Sequence, residues 1–162
     1  MSGLDVEKER ILEVAAIVTD TSLSPIGEFH KIVYQPQEIL DQMDDWCRKT
    51  HGDSGLTKLV PGGEKIEKVE QDVLGFVKPY FSGSERILLC GNSVGNDKLF
   101  IDRYMPELAK RLHYRIIDVS SFKEIFRTKY GIEVQKKNTH RALDDIQESI
   151  DELKTYLSYV KV

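Results

Sequence analysis

Residues 138–149 read N-T-H-R-A-L-D-D-I-Q-E-S and predict the last helix of the chain. Thr139 can cap this helix, because its hydroxyl can accept a hydrogen bond from a free backbone N–H of the first turn. Apolar residues then recur at helical spacing and form one stripe: Leu143, Ile146, Ile150, Leu153 and Leu157. The sequence therefore predicts a helix that begins near Thr139 and packs this stripe against the rest of the protein.

The same stretch contains a histidine and a carboxylate that can act together. His140 precedes Asp145 by five residues, and at about 100° per residue Asp145 falls beside the apolar stripe. An imidazole next to a carboxylate suits a general base beside a metal ligand. Alternatively, Asp144 and Asp145 only complement the helix dipole and His140 is a polar loop residue. The spacing alone leaves both interpretations open.

A second acidic position follows a short apolar run, Arg86–Asn92, which reads R-I-L-L-C-G-N. This pattern predicts a buried strand that ends at a tight turn, with Cys90 as a small core residue. The chain then enters a helix with Asp97 in its first turns. A carboxylate just past the C-terminal end of a strand lies where open α/β sheets bind ligands.

Composition limits the classes of function. The chain has 162 residues, 40% of them hydrophobic and 31% charged, which fits a single domain over residues 1–162. The net charge of −4 argues against a long basic track for polymeric nucleic acid, but it permits a small acidic pocket. Two cysteines form no disulfide framework, no apolar run approaches a membrane span, and no signal or transit peptide is visible. We therefore expect an intracellular protein, cytoplasmic or mitochondrial, without membrane association.

The remaining pattern alternates strands and helices and predicts an α/β fold. Ile11–Thr19 is expected to be a strand buried on both faces, with Glu13 as a paired buried carboxylate rather than a catalytic one. The other expected elements are a strand at Gly27–Tyr34 joined to the first as a hairpin, helices at Pro36–Trp46 and Glu64–Phe81, a strand at Tyr114–Val119 and a helix at Ser120–Tyr130.

Two segments resemble known motifs. Residues 91–100, G-N-S-V-G-N-D-K-L-F, and residues 140–149, H-R-A-L-D-D-I-Q-E-S, resemble the second and third motifs of DEDDh 3′→5′ exonucleases, and oligoribonucleases most closely. Residues 43–56, 104–108 and 113–121 fit the same family, so the resemblance covers essentially the whole chain. It implies a ribonuclease H-like mixed sheet flanked by helices, and an enzyme that cleaves very short single-stranded RNA to nucleoside 5′-monophosphates.

The resemblance also implies a metal-dependent site. In the family, four carboxylates hold two Mg²⁺ or Mn²⁺ ions, and a histidine takes the proton of the attacking water. The matching residues here are Asp97 and Asp145 as metal ligands and His140 as the base.

Substrate contacts are implied in the same way. Leu4 matches a residue that wedges against the bases, and Trp46 and His51 match residues that stack on a base and hold the substrate. Without the resemblance, Trp46 would be a core tryptophan and His51 a surface histidine. Ser93 matches a contact to the 5′ phosphate and can also serve as a helix cap, and the two roles are compatible.

A further group of matching residues implies a homodimer. Tyr114 and Arg115 match a pair that reaches across a twofold axis into the neighbouring site. There the tyrosine covers a base, and the arginine closes on the 5′ phosphate together with a serine that matches Ser120.

The first family motif is a strand with Asp-x-Glu followed by methionine, and Met1 falls on that methionine. We therefore expect the strand and its two carboxylates to be absent; in the resembled architecture this strand lies between the Ile11 and Arg86 strands. A gene model or isoform that starts at an internal methionine, a truncated product and a natural pseudoenzyme all fit, and the coincidence with a methionine favours the first. An inactive oligonucleotide-binding subunit and a poorly folded fragment therefore stay open as alternatives. A DNA-proofreading exonuclease fits less well, because the Trp46 and Tyr114 segments favour oligoribonuclease.

Overall fold

The computed structural model describes residues 1–134 and 141–160. Four strands and eight α-helices, together with one 3₁₀ turn, make up this part of the chain. In order they are β1 (Glu13–Thr19), β2 (Pro25–Ile32), α1 (Gln37–Asp41), α2 (Asp45–Asp53), α3 (Leu56–Leu59), a 3₁₀ turn (Val60–Gly62), α4 (Ile66–Val77), β3 (Ile87–Gly91), α5 (Val94–Tyr104), α6 (Pro106–Ala109), β4 (Leu112–Asp118), α7 (Val119–Tyr130) and α8 (Ala142–Ser158).

The described strands form two small sheets of two strands each. β1 and β2 are an antiparallel hairpin in which Glu13 lies opposite Ile32. β3 and β4 are parallel, with Leu89 opposite Ile116, and α5 and α6 form the crossover that a parallel pair requires. The predicted α/β class and the predicted hairpin are both confirmed.

A cavity of about 810 Å³ separates the two sheets, and residues of both β1 and β3 line it. Within the described residues, β1 pairs only with β2 and β3 only with β4. One side of each strand is therefore without a strand neighbour. The gap lies where the sequence resemblance led us to expect a central strand between β1 and β3.

The core lies mainly beneath the hairpin and beside the cavity. Val69 and Val73 of α4 pack with Phe100 of α5 in one buried cluster, and Ile87 and Leu89 of β3 pack against it. A separate cluster joins α7 and α8 through their buried aromatic and aliphatic side chains. No helix among residues 1–134 and 141–160 is long and apolar enough to cross a membrane.

Two strand predictions were wrong about burial. β1 is mostly half-buried rather than buried on both faces, because within the described residues only one strand pairs with it. In β3, Leu88 is 47% exposed and Cys90 is also exposed. Successive side chains of a strand point to opposite faces, and only the face that carries Ile87 and Leu89 packs against the core. Cys90 is therefore not a core residue.

Two helix predictions were wrong about boundaries. The expected helix from Pro36 to Trp46 is broken, since α1 ends at Asp41 and a new helix begins at Asp45. Asp44 caps the second helix by accepting a hydrogen bond of 2.7 Å from the Cys47 N–H, which stops the first helix from continuing. The last helix begins at Ala142, with Arg141 in the cap position, and so starts later than the predicted start near Thr139. Thr139 lies outside the described residues.

The buried face of α8 also differs from the predicted apolar stripe. Leu153 is buried as expected, but Leu157 is 44% exposed. The buried positions include three polar side chains, Ser149, Glu152 and Tyr156. Helical spacing located the helix, whereas the neighbouring elements decided which of its side chains became buried.

Glu13 is a paired buried carboxylate, as predicted. Its side chain is 7% exposed and accepts hydrogen bonds of 2.6 Å from His30 Nε2 and 3.2 Å from an Arg141 guanidinium N–H. A carboxylate can remain buried in a strand when partners of this kind replace water. The pair with Arg141 ties β1 to the start of α8.

Candidate active site

The cavity between the sheets brings together four residues that the sequence had singled out separately. Trp46 of α2, Ser93 before α5, Asp97 in α5 and Asp145 in α8 all line it. These positions are up to about 100 residues apart in sequence. Their convergence on one cavity marks it as the candidate active site.

Asp97 lies in the first turn of α5. Although its carboxyl keeps accessible surface, the surrounding protein removes much of the bulk water, and this desolvation raises the pKa of Asp97. A backbone hydrogen bond and the positive charge of the Met1 amino group oppose this rise in pKa, whereas the nearby Asp118 carboxylate adds to it. An environment that penalises the isolated negative charge in this way favours a bound cation.

Asp145 lies in the first turn of α8. Its side chain is exposed and lines the cavity. Its backbone is held from both ends: its N–H donates to the Arg141 carbonyl at 2.9 Å, and the Ser149 hydroxyl donates to its carbonyl at 2.7 Å. The carboxylate is therefore presented from a fixed helical turn. His140, the predicted base, lies outside the described residues.

Ser93 has an unusual backbone, with φ of 50° in the left-handed region that non-glycine residues rarely adopt. Its N–H donates to Asp118 Oδ1 and to Ser120 Oγ, both at 3.0 Å. Ser93 occupies the cap position of α5, but its side chain makes no cap hydrogen bond, so the predicted helix-cap role is wrong. Strained backbone held by several contacts is typical of functional sites.

The remaining predicted substrate residues lie outside the described cavity lining. Leu4 is 71% exposed and Tyr114 is 76% exposed. The Arg115 guanidinium lies 5.0 Å from the centre of the Tyr114 ring. His51 is hydrogen-bonded through Nε2 to the Met1 carbonyl at 2.9 Å. Ser120 contacts the cavity residue Ser93, whose N–H donates to Ser120 Oγ at 3.0 Å.

Trp46 lines the cavity, and its side chain is also 65% exposed. The core-tryptophan alternative is therefore wrong. The Trp46 indole is therefore an exposed aromatic surface in the wall of the candidate active site.

Comparisons with known proteins cover nearly the whole chain. The sequence profile of the Exonuclease (RNase T) family matches residues 1–153. The mitochondrial oligoribonucleases of Homo sapiens and Bos taurus are each 47% identical over 162 residues, covering 96% of this chain and 68% of each relative. The oligoribonuclease of Francisella tularensis subsp. tularensis is 45% identical over 164 residues, covering 96% of this chain and 89% of the relative.

The chain belongs to the oligoribonuclease family of DEDDh exonucleases. As a member of this family, the protein is a nuclease with a ribonuclease H-like α/β fold. Oligoribonucleases and related exonucleases generally use divalent metals.

The described residues of this oligoribonuclease-family chain do not by themselves form a two-metal centre. Residues 1–134 and 141–160 contain no group of three or more His, Cys, Asp or Glu side chains placed to hold a metal ion. Asp97 and Asp145 are two hard oxygen ligands, whereas Mg²⁺ and similar cations each require several. The donor set on these residues is therefore incomplete.

Sequence reasoning missed a group of polar residues behind the oligoribonuclease-family site. Asn92 follows β3, and its amide contacts Ser149 and Glu152 on the buried face of α8. The available signal was the occurrence of Ser149, Glu152 and Tyr156 at helical spacing. These residues share one face of the helix. The sequence analysis assigned the buried face to the apolar stripe and did not consider them.

Proposed function

We propose that the protein is a 3′→5′ exoribonuclease that hydrolyses short RNA oligonucleotides, down to dinucleotides, and releases nucleoside 5′-monophosphates. The observation that carries this proposal is the placement of Trp46, Ser93, Asp97 and Asp145 around one cavity. This arrangement offers an aromatic surface for a base, a hydroxyl for a phosphate and two carboxylates for cations. The oligoribonuclease relatives support the substrate class.

Base recognition in this proposal depends on stacking. The exposed Trp46 indole can cover a base without reading its edge, and such stacking contributes about 1–3 kcal/mol per base with little sequence preference. Leu4 wedges between bases, and His51 helps to hold the substrate. An enzyme of this kind accepts any dinucleotide.

Catalysis in this proposal requires two divalent cations, Mg²⁺ or Mn²⁺, with Asp97 and Asp145 as two of their ligands. When bound, the cations would activate water and stabilise the charge that develops on the phosphate. The other two carboxylates come from an Asp-x-Glu strand that enters the cavity between β1 and β3, directly ahead of Met1 in the family register. We call the protein with this strand added the strand-completed protein. His140 takes the proton of the attacking water.

A second candidate function is oligonucleotide binding without hydrolysis. It stays a candidate because base stacking and phosphate contacts do not require the cations, and residues 1–134 and 141–160 contain no group of three or more His, Cys, Asp or Glu side chains that could hold a metal ion. Residues 1–162 form one domain in either case. We place the protein in the cytoplasm or in mitochondria, since three mammalian relatives are named mitochondrial.

Binding and turnover measured separately distinguish the two functions. For the strand-completed protein, we expect a dinucleotide to bind in chelator and to be hydrolysed to mononucleotides when Mn²⁺ is added. The readouts are calorimetric titration and chromatography of the products. Binding without turnover at saturating Mn²⁺ would contradict the exoribonuclease proposal and support the binding function.

We also propose a homodimer in which Tyr114 and Arg115 of one subunit complete the site of the other. Both are exposed on β4 and lie outside the described cavity lining of their own chain. The stacked pair presents an aromatic face and a guanidinium, which is suited to a terminal phosphate.

A complementation experiment tests the homodimer. We expect Tyr114→Ala and Asp97→Ala versions of the strand-completed protein to be nearly inactive alone and to regain partial activity when mixed, because a heterodimer then has one intact site. Leu99→Ala, an exposed substitution on α5, is the matched control and should be active alone, and mass spectrometry of the mixed proteins measures subunit exchange. If subunits exchange and no activity returns for the mixture, Tyr114 does not act across the interface.

A further inference from the structure

Leu4 lies on a short loop, residues 2–10, that leaves the cavity and returns to it. Met1 directly before the loop and Ile11 directly after it both line the cavity. The Leu4 side chain is 71% exposed. We call residues 2–10 the Leu4 loop. Because both ends of the loop are held at the cavity, the direction of Leu4 depends on how firmly the loop keeps its shape.

Hydrogen bonds close the neck of the Leu4 loop. The Ser2 N–H donates to the Arg10 carbonyl, and the Arg10 N–H donates to Ser2 Oγ, both at 2.8 Å. Ser2 is 0% exposed, and its hydroxyl donates to Glu9 Oε2 at 2.5 Å. The Glu9 side chain lies so close to Gly3 that a Cβ added at Gly3 would come within 2.7 Å of it. The loop is therefore closed by its own contacts.

The far side of the Leu4 loop is a turn built by Asp5. The Lys8 and Glu9 N–H groups donate to the Asp5 carbonyl at 3.1 and 2.8 Å. The Glu7 N–H donates to the Asp5 carboxylate at 3.1 Å. An aspartate that accepts from the backbone two residues on stabilises a tight turn. Leu4 directly precedes this turn, so the turn fixes the backbone next to it.

Tyr104, the last residue of α5, joins the Leu4 loop to the rest of the protein. Its hydroxyl lies 2.7 Å from the Val6 carbonyl and 2.9 Å from the Glu9 carbonyl, and both can accept its proton. The same hydroxyl accepts an N–H of the Arg10 guanidinium at 2.7 Å. One hydroxyl therefore contacts three residues of the loop.

Helix α5 connects this anchor with the candidate active site. Asp97 lies in the first turn of the helix, and Tyr104 follows seven residues later at its end, which is about 10 Å along the helix axis. The Tyr104 ring packs against Phe100, which is 1% exposed, with 5.9 Å between the ring centroids. The anchor of the loop is therefore held at a fixed distance from Asp97.

We propose that Tyr104 is a positioning residue whose hydroxyl holds the Leu4 loop in the shape that lets the Leu4 side chain enter between the two bases of a dinucleotide. A loop that is ordered before binding loses little conformational entropy when the ligand arrives, so more of the contact energy appears as affinity. This inference rests on the proposed function, because it explains how the proposed wedge at Leu4 is presented.

The test compares binding of a dinucleotide and of a nucleoside 5′-monophosphate to the strand-completed protein in chelator. We define the wedge ratio as the dissociation constant of the mononucleotide divided by that of the dinucleotide, since a wedge between two bases acts only on the dinucleotide. The parent is expected to have a wedge ratio of about 5–150, the range that one further stacked base contributes. Leu4→Ala should lower this ratio about threefold or more.

Tyr104→Phe keeps the ring and removes only the hydroxyl. It is expected to lower the wedge ratio about 2–10-fold, the range of one net hydrogen bond, and to leave binding of the mononucleotide nearly unchanged. In a Leu4→Ala background Tyr104→Phe should have little further effect, because both substitutions remove the same contact. Tyr80→Phe is the matched control, since it removes a hydroxyl that donates to the Ile26 carbonyl at 3.2 Å, and it should keep the parent's ratio.

Two further measurements keep the test decisive if Tyr104→Phe lowers the overall stability. Gly3→Ala places a Cβ against the Glu9 side chain and disturbs the loop without changing α5, so it should also lower the wedge ratio. Amide hydrogen exchange reports the order of the loop directly. Exchange of the Glu9 N–H should become faster in Tyr104→Phe and should stay at the parent's rate in Tyr80→Phe.

The outcomes distinguish this inference from the proposed function. A parent that does not prefer the dinucleotide, or a Leu4→Ala variant with the parent's wedge ratio, overturns the proposed wedge and this inference with it. A ratio that Leu4→Ala lowers and Tyr104→Phe leaves unchanged overturns this inference alone. An equal effect of Tyr104→Phe with and without Leu4 also overturns it, because Tyr104 would then act independently of the wedge.

Discussion

A polypeptide of residues 1–162 expressed alone is expected to show no measurable hydrolysis of dinucleotides in Mn²⁺ and to be poorly stable. Asp97 and Asp145 are too few ligands for two cations. Among residues 1–134 and 141–160, β1 and β3 each pair with one strand, and residues of both line the cavity. Each buried N–H or C=O that lacks a partner there costs about 1–3 kcal/mol. A domain has only about 5–15 kcal/mol of net stability. Thermal melting and product chromatography measure the two effects.

Two versions of the added strand separate folding from metal binding. The strand-completed protein with Asp-x-Glu should gain both a cooperative melting transition and turnover. A control with Asn-x-Gln at the same positions should gain the transition but not the turnover. Full Mn²⁺-dependent cleavage by residues 1–162, with contaminating nuclease excluded, would contradict the prediction. It would mean that other acidic residues, such as Asp5 or Glu7, complete the site.

The structure gives Asp5 and Glu7 other partners. Asp5 pairs with Lys8 at 3.1 Å, and Glu7 pairs with Arg103 at 3.0 Å. Neither residue is in the described cavity lining. The prediction therefore assigns the missing ligands to the added strand.

In the strand-completed protein, His140→Ala is expected to lower turnover by about 10²–10⁴, the usual contribution of a general base. Dinucleotide binding in chelator should change little, because the base acts on the attacking water and not on the nucleotide. Single-turnover hydrolysis and equilibrium binding are the two measurements. Thr139→Ala serves as the neighbouring control, and near-normal turnover of His140→Ala would remove this residue from its proposed role.

The sequence predicted the elements that carry the candidate site more accurately than it predicted their burial. The helices with Asp97 and Asp145 and the strand with Tyr114 are all present, because spacing and turn residues are local signals. The burial of Cys90 and Leu157 was predicted incorrectly. Burial depends on which neighbour covers each face, and local spacing contains no information about that neighbour.

Sequence alone determined the order of the elements and, through the motifs, which residue types the site would use. Only the tertiary structure decided that Trp46, Ser93, Asp97 and Asp145 share one cavity. It also decided that Ser93 adopts a left-handed backbone and that the buried Glu152 holds Asn92 behind it. The physical reason is that these features depend on contacts between distant parts of the chain, in which a hydrogen bond or a buried charge from one element overrides the local preference of another.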